Sequence, residues 1–312
     1  MLSSTARREP ALAALARRAR ITALALCAVA ALGACGDDDD DDDDLTGPGA
    51  NVPAGRTIYG IDLNNNLVAF GAQNPTTTAA RTIAISGLNT GERLVGIDFR
   101  ANAAAAADRR LFGVTTASRV VTIDTTTGTA TAVGSAAFIP AVDGTAFGLD
   151  FNPVPDRIRL HSDRDQDLRI NQTVTPVTVT VDSVLAYALN DTRVGQNPNI
   201  VGTAYTNSVP GATATELFAI DSDRDELVFL ASPNNGRLST RGQLGVNTTQ
   251  DVGFDIFGPG LAGTTTSQAY VTLTLEGSSR SRLFTINLAS GAATLIGDVN
   301  YNRSLIGIAV TP

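Results

Sequence analysis

The stretch Phe147-Gly148-Leu149-Asp150-Phe151 decides the fold, because four other segments of the chain repeat its pattern. In each copy an apolar residue precedes a glycine, and an aspartate or alanine stands two positions after that glycine. The other copies are Val95-Gly96-Ile97-Asp98-Phe99, Val201-Gly202-Thr203-Ala204-Tyr205, Val252-Gly253-Phe254-Asp255-Ile256 and Ile306-Gly307-Ile308-Ala309-Val310. Their glycines lie 51 to 54 residues apart, and this near-constant period indicates an array of similar structural units.

Three further strand-like runs follow each copy of this glycine signature except the last. They are rich in Val, Ile, Thr, Leu and Phe and are separated by Asn, Asp, Gly, Pro and Ser, as strands and turns require. In the unit that begins with Phe147 the runs cover residues 157–162, 167–171 and 177–182. Four strands in a unit of about fifty residues predict the blade of an all-β propeller. We expect at most one helical turn, over residues 183–190.

The two ends of the repeat array predict how the ring closes. Residues 57–63, 67–70 and 81–86 match the second, third and fourth strands of a unit, but no glycine strand precedes them. That missing strand is found near the C-terminus, at residues 304–310. We therefore predict a five-bladed β-propeller of four-stranded antiparallel blades, closed by pairing of the C-terminal strand with the N-terminal blade, which removes two exposed edges. The alternative, a six- or seven-bladed propeller, needs a further repeat that the sequence does not show.

The glycine of the signature has a structural interpretation. If the signature is the innermost strand of a blade, neighbouring blades converge there, and a residue without a side chain lets their backbones approach. Alternation along the strand puts Gly96 and Asp98 on one face and Val95, Ile97 and Phe99 on the other, apolar face, which we expect to pack on the next blade. The glycines to which we assign this structural role are Gly96, Gly148, Gly202, Gly253 and Gly307.

The N-terminal segment is typical of an exported lipoprotein. Residues 1–20 are rich in arginine, and the apolar stretch at 21–32 is shorter than the roughly 20 residues that span a membrane. It ends in Leu32-Gly33-Ala34-Cys35, which resembles a bacterial lipobox. We predict a lipoprotein signal peptide over residues 1–34 and lipidation of Cys35, which would anchor the protein to the membrane of the cell envelope. The alternative is an ordinary signal peptide cleaved nearby; which membrane or leaflet holds the protein stays open.

Eight consecutive aspartates, residues 37–44, follow the predicted anchor. Like charges at this density repel one another and keep a segment extended, so residues 35–55 are interpreted as an acidic, disordered tether. A calcium-binding tract is the alternative, since carboxylates suit hard cations. The propeller domain is predicted over residues 56–312.

Composition excludes several classes of function. The chain has 23 basic and 31 acidic residues, a net charge of −8 and no basic run, which argues against nucleic acid as a partner. Its two cysteines, Cys27 and Cys35, both precede the predicted domain, and His161 is the only histidine. Disulfides, thiolate metal sites, cysteine nucleophiles and two-histidine centres are therefore excluded from the domain. The lack of tryptophan also makes a sugar-stacking site less favoured.

Three aspartates, Asp98, Asp150 and Asp255, occupy the same signature position and are the first candidates for a functional site. Near the axis they would form an acidic ring that binds a cation or, with a raised pKa, serves as acid and base toward a glycoside. In the structural interpretation, which we favour, each carboxylate accepts hydrogen bonds from the backbone of a neighbouring blade. Ala204 and Ala309 stand at this position in the other copies, so the ring of carboxylates is incomplete.

Two loops space carboxylates at alternate positions, as calcium-binding loops do. Both lie between the second and third strands of their units, and both lack the glycine and distal glutamate of an EF-hand. Aspartates are also ordinary turn formers, and the first unit has Asn64-Asn65-Asn66 at the same place. The resulting low-ranking calcium candidates are Asp163, Asp165, Asp167, Asp221, Asp223 and Asp225; apart from calcium we expect no cofactor.

The stretch over residues 148–171 resembles the signature of the bacterial domain of unknown function 4394 family. The similarity extends over nearly all of residues 56–310. It implies a propeller-like exported domain with no established activity, so it assigns no catalytic residues.

Three functional hypotheses follow. The first is a non-enzymatic, surface-anchored scaffold that binds a protein or a glycan through the loops at one end of the ring. The second is a glycan-directed hydrolase that uses the axial carboxylates of Asp98, Asp150 and Asp255. The third is a structural scaffold stabilised by calcium. Because the domain has few catalytic side chains, the sequence favours a protein that is not an enzyme.

Overall fold

A computed structural model describes residues 56–77, 80–100, 106–258 and 267–312. The predicted signal peptide over residues 1–34, the lipidation site Cys35 and the tether over residues 35–55 lie outside the described residues.

The described residues form five sheets, antiparallel except for one short parallel strand in blade 4, and each has a glycine-signature strand at one edge. Blade 1 contains β1 (Thr57–Ile61), β2 (Asn66–Gly71), β3 (Arg81–Ala84) and β21 (Gly307–Val310). Blade 2 contains β4 (Leu94–Phe99), β5 (Leu111–Thr115), β6 (Val120–Ile123) and β7 (Ala130–Val133). Blade 3 contains β8 (Phe147–Asn152), β9 (Arg157–Ser162), β10 (Asp167–Asn171) and β11 (Thr178–Val181). Blade 4 contains β12 (Ala186–Tyr187), β13 (Ile200–Tyr205), β14 (Leu217–Asp221), β15 (Glu226–Leu230) and β16 (Arg237–Gln243). Blade 5 contains β17 (Thr248–Phe257), β18 (Gln268–Leu275), β19 (Ser281–Ile286) and β20 (Ala293–Asp298).

The five-bladed propeller and its closure are confirmed. β21 pairs antiparallel with β1, so that Ile58 lies opposite Val310 and Ile61 opposite Gly307. The inner strands contact one another in ring order, β4 with β8, then β13, β17, β21 and again β4. Blade 1 therefore combines the first and last strands of the domain, and the ring has no open edge at its axis.

The apolar core lies between blades, and bulges modify its pattern. Register shifts between Leu94 and Gly96, and again between Ile200 and Gly202, interrupt the simple alternation. As a result Val95 belongs to the apolar cluster of blade 3. In contrast, Ile97 and Phe99 belong to a cluster with residues of blade 1. The expectation that Val95, Ile97 and Phe99 all pack on the next blade is therefore wrong. The bulge puts the Val95 side chain on the opposite face of the strand from Ile97 and Phe99.

Residues 183–190 do not form the helical turn that the sequence suggested. They contain β12, which pairs in parallel with the outer strand β16 through Ala186 and Tyr187. This short strand covers the outer edge of blade 4, as edge strands of soluble proteins commonly require. Among the described residues, helical structure is limited to 3₁₀ turns at Ala106–Asp108 and Pro233–Asn235. In that same part of the chain no helix is long and apolar enough to cross a membrane.

The signature glycines lie where neighbouring inner strands approach most closely. A Cβ atom placed on Gly148 would lie 2.5 Å from both the backbone nitrogen and the Oγ1 of Thr203 in blade 4. On Gly307 the nearest atom would be 3.4 Å away, on the side chain of Ile61. Contacts below 3.0 Å require the neighbouring strand to move, so the demand for glycine is strong at Gly148 and weak at Gly307.

Candidate functional site

The ring brings together the three aspartates that the repeat alignment singled out. Asp98, Asp150 and Asp255 lie on the inner strands β4, β8 and β17, and one carboxylate oxygen of each lies within 4.8 Å of the others. Their exposed fractions are 6%, 1% and 5%, so solvent barely reaches them. We call this group the axial triad.

The axial triad accepts hydrogen bonds from all five inner strands. In each strand the donor is the backbone N–H of the last signature residue. The pairs are Phe99 and Phe151 to Asp98, Tyr205 to Asp150, and Ile256 and Val310 to Asp255. The bonds from Phe151 and Val310 measure 2.8 and 2.6 Å, and both cross from one blade to its neighbour. These are the interblade bonds that the structural interpretation requires.

This pattern explains why three aspartates serve five blades. Ala309 lies on β21 of blade 1, the blade before blade 2 in the ring, and has no carboxylate to accept an N–H from blade 2. Asp98 of blade 2 instead accepts the N–H of its own neighbour Phe99 at 2.6 Å. Likewise Ala204 of blade 4 has no carboxylate to accept an N–H from blade 5, and Asp255 of blade 5 accepts the N–H of its own neighbour Ile256. Each alanine is therefore followed in the ring by an aspartate that satisfies two strands.

Burial without a cationic partner raises the pKa values of the triad. Burial and the neighbouring charge of Asp255 raise the pKa of Asp98 well above its usual range. The pKa of Asp150 is raised in the same way by burial and then by Asp98 and Asp255. Burial raises the pKa of Asp255 to about 6. In addition, Oδ1 of Asp150 has no hydrogen-bond donor among the described residues; a proton on this carboxyl would be donated to Asp98.

The two aspartate-rich loops are turns whose carboxylates mostly have protein partners. Neither loop brings three possible metal ligands together within the described residues. The partners are Thr145 for Asp163, Arg159 for Asp167, Tyr187 and Arg224 for Asp221, Asn199 for Asp223, and Thr248 for Asp225. Asp165 is the exception, because its Oδ1 is buried without a partner.

Backbone geometry shows what these loop aspartates do. Asp165 and Asp225 have φ values of 61° and 53°, and Asn65 and Ser118 occupy the corresponding turns of blades 1 and 2 with a φ of 58° each. Asn, Asp and Ser tolerate this left-handed conformation better than most residues. Turn formation therefore accounts for one aspartate in each loop, Asp165 and Asp225.

The structure also places a hydroxyl, an imidazole and a carboxylate in line. His161 Nδ1 lies 2.9 Å from Thr203 Oγ1, and His161 Nε2 lies 3.3 Å from Asp167 Oδ1. This order is that of a hydrolase triad, but all three side chains are at most 1% exposed. No substrate reaches Thr203 in this conformation. This contact has no signal in the residue pattern, because Thr203 belongs to blade 4 whereas His161 and Asp167 belong to blade 3.

A buried arginine holds the other carboxylates of this region. Arg159, 1% exposed, forms ion pairs with Asp167 and with Asp182, the latter at 2.6 Å. Arg159 also donates to the hydroxyl of Tyr205 and to Asn234. Burial opposes ionisation of Asp167, but His161 and Arg159 outweigh it and lower its pKa. We call Arg159, Asp167 and Asp182 the arginine cluster.

A depression of about 270 Å³ opens at the end of the ring where the inner strands begin. Its lining comes from blades 1, 2, 3 and 5 and from the loops that lead into them. The lining residues are Leu63, Arg93, Leu94, Val95, Thr116, Gly144, Thr145, Ala146, Phe147, Gln250, Asp251 and Ile306. A larger groove of about 580 Å³ lies away from the axis along β5 and β6 of blade 2. We focus on the axial depression, because several blades converge on it.

The family of the domain of unknown function 4394 (DUF4394) matches residues 66–309. The chain belongs to this family. No curated protein is detectably similar to the chain.

Two solved structures resemble this one at low sequence identity. A structural genomics protein of unknown function from Bacteroides thetaiotaomicron VPI-5482 is 12% identical with a TM-score of 0.46, and the match covers 83% of this chain and 65% of that one. A protein from Lactobacillus plantarum is 11% identical with a TM-score of 0.36 over 81% of this chain and 87% of its own. At these TM-scores neither likeness carries an argument about function.

The stretch over 148–171 that carries the family resemblance coincides with β8, β9 and β10. It contains Asp150 of the axial triad, and Arg159 and Asp167 of the arginine cluster. It also contains His161, which is fully buried. The residues that resemble the DUF4394 signature therefore supply much of the buried polar network between blades 3 and 4.

Proposed function

We propose that this DUF4394 protein is an exported, lipid-anchored binding scaffold whose ligand site is the axial depression. The observation that carries the proposal is the convergence of several blades on one cavity at the end of the ring. Loops held by a rigid repeat scaffold are where propellers and other repeat proteins commonly place their binding surfaces.

The lining of the depression indicates what kind of ligand it fits. Val95, Ala146 and Phe147 form an apolar floor and are each at most 8% exposed. Arg93 and Asp251 lie at the polar margin. A cavity of about 270 Å³ is smaller than most drug-sized sites but accommodates one large apolar side chain with polar contacts around it. We therefore propose a protein partner that inserts an apolar anchor residue.

The buried state of the candidate catalytic groups favours binding over hydrolysis. The triad carboxylates are 1–6% exposed, and their nearest oxygens lie within 4.8 Å of one another. Glycosidase carboxylates must flank a bound glycosidic bond, which requires an access to substrate that carboxylates with this little exposure do not offer. Turnover of a glycan panel by the wild type, lost in Asp98→Asn, Asp150→Asn and Asp255→Asn variants that still fold, would replace the scaffold proposal with the hydrolase.

The depression is tested by a pair of matched surface variants. Leu63, 45% exposed, lines the depression, whereas Val154, 46% exposed, lies in the β8–β9 turn at the opposite end of the ring. Partners captured from native envelope by the wild type should be lost with Leu63→Arg and kept with Val154→Arg. Loss of the captured partners with Val154→Arg but not with Leu63→Arg would place the binding surface at the opposite end of the ring.

Anchoring by Cys35 is proposed from the lipobox-like sequence before the tether. Mass spectrometry of the mature protein should show an acylated cysteine at its N-terminus, and Cys35→Ala should release the protein from membranes. An unmodified N-terminus elsewhere would support the ordinary signal peptide instead.

A further inference from the structure

Among the described residues, the axial triad lacks the counter-charge that four of the five other buried acidic residues have. Five buried acidic residues lie outside it. Four form ion pairs, Glu92 with Arg119, Asp167 with Arg159, Asp221 with Arg224 and Glu226 with Arg193, and Asp62 accepts hydrogen bonds from Asn64, Asn66 and Tyr301. None of the ion pairs within the described residues includes Asp98, Asp150 or Asp255. Buried charges need a counter-charge or a proton, because transfer out of water is costly.

The nearest arginine by strand register does not supply that charge. Arg159 stands directly opposite Asp150 across the β8–β9 pair. Its guanidinium instead binds Asp167 and Asp182 in the arginine cluster. The fold thus places an arginine beside the triad and directs its charge elsewhere.

Backbone donors leave one oxygen of the triad unsatisfied. Asp150 is 1% exposed and accepts the N–H of Tyr205, but its Oδ1 has no hydrogen-bond partner in the part of the chain that the structure describes. This carboxylate faces Asp98 and Asp255, whose oxygens lie within 4.8 Å. A buried, unpartnered oxygen in a group of three carboxylates is the donor that a hard cation requires.

The spacing of the oxygens selects among cations. Three points at most 4.8 Å apart lie no more than about 2.8 Å from their common centre, which is 4.8 Å divided by √3. Calcium binds oxygen at about 2.3–2.6 Å, and magnesium at about 2.0–2.1 Å in a strict octahedron. At this upper limit calcium needs only a small inward movement of the oxygens, whereas magnesium needs a larger contraction of three strands.

We infer that Asp98, Asp150 and Asp255 bind one calcium ion on the propeller axis, joining blades 2, 3 and 5. The ion supplies the counter-charge that these blades lack, and the five N–H donors stabilise the remaining negative charge by hydrogen bonding. Calcium thereby belongs at the axis rather than at the loop aspartates, most of which already have protein partners. Asp98 lies three residues beyond Val95 of the depression, roughly 10 Å along β4, so the site is separate from the proposed binding surface.

The experiment uses the full chain, refolded with calcium chloride or with chelator, because the closed site requires the ion to enter during folding. Elemental analysis after desalting should find one calcium per chain. At calcium concentrations about 100-fold above Kd, the Tm should exceed that of the chelated protein by roughly 5 to 10 °C. No bound calcium and an unchanged Tm, or equal binding of magnesium, would overturn the inference.

Matched variants locate the ion. Asp150→Asn keeps an acceptor for Tyr205 and removes one charge, so calcium affinity should fall at least tenfold. In chelator the Tm of this variant should equal or exceed that of the wild type, because repulsion is relieved. Asp163→Asn and Asp223→Asn in the loops should bind calcium as the wild type does. Loss of calcium in a loop variant, with normal binding by Asp150→Asn, would place the ion in the loops instead. If Asp150→Asn does not fold, the calcium affinity of Asp255→Asn and the calcium content of the wild type test the axial site instead.

Discussion

The axial triad and the arginine cluster both bury carboxylates where blade 3 meets its neighbours, yet they have opposite electrostatics. In the arginine cluster a guanidinium that is 1% exposed contacts Asp167 and Asp182, and the pKa of Asp167 is lowered although the residue is buried. In the triad the donors are neutral backbone N–H groups, and the pKa values are raised. His161 and Arg159 outweigh the burial of Asp167, whereas the backbone N–H donors do not outweigh burial and neighbouring carboxylates at Asp98 and Asp150.

The arginine cluster gives the largest expected effect. Arg159→Met should lower the free energy of unfolding by about 3–5 kcal/mol, because Asp167 would remain buried without its guanidinium partner, while Arg169 would still pair with Asp182. Urea denaturation measures this loss. The control is Arg164→Met, whose partner Asp143 and own side chain are 62% and 61% exposed, and which should change stability by less than about 1 kcal/mol. A loss below 1 kcal/mol for Arg159→Met would show that the cluster tolerates an unpaired charge.

The triad should show the opposite dependence on pH when calcium is absent. Because the pKa of Asp255 rises from 3.8 to about 6 on folding, the folded state holds its proton more tightly than the unfolded state does. Stability is therefore greatest below pH 3.8 and falls as the pH rises to about 6, by roughly 3 kcal/mol for this group. Urea denaturation in chelator across this range should show the fall in the wild type and a flatter profile in Asp255→Asn. Equal slopes of unfolding free energy against pH in the two proteins would show that Asp255 does not cause the fall in stability.

The inner strands of the ring should tolerate a methyl group at only some of the signature glycines. Gly148→Ala should cost about 1–3 kcal/mol, because its Cβ would lie 2.5 Å from the backbone nitrogen of Thr203. Gly307→Ala, at the same signature position, should cost less than about 1 kcal/mol, since its nearest neighbour is 3.4 Å away. Thermal unfolding of both variants checks the difference. The same Tm for the two would mean that the strands adjust freely.

The smallest effect is expected at Glu92, which is paired with a partly exposed arginine. Arg119 is the main cause that lowers the pKa of Glu92 from 4.5 to about 2, although burial opposes this. The pair therefore stabilises the fold above pH 4.5, and that contribution is lost as the pH falls toward 2. Since the Arg119 side chain is 20% exposed, we expect only about 1 kcal/mol. Glu92→Gln should lack this acid-dependent loss in urea denaturation between pH 5 and 2.

The repeat pattern was enough to predict the ring and the position of the triad. Both depend on local signals, namely a glycine in each inner strand and a displaced strand over residues 304–310. Interblade chemistry was not predictable in the same way. The contact of His161 with Thr203 and the direction of the Arg159 side chain depend on distances between segments that are distant in sequence. The bulge at Val95 likewise arises from packing and has no mark in the residue pattern.

The pairing of β21 with β1 also sets the order in which the molecule can assemble. Residues 58 and 310 are neighbours in blade 1, so this sheet lacks its inner strand until the chain has been made as far as Val310. The N–H of Val310 also completes the set donated to Asp255. Such a long-range contact has a high loop-closure entropy and forms slowly. Ring closure is therefore a late folding step, and until then β1 presents an open edge to which other chains can add.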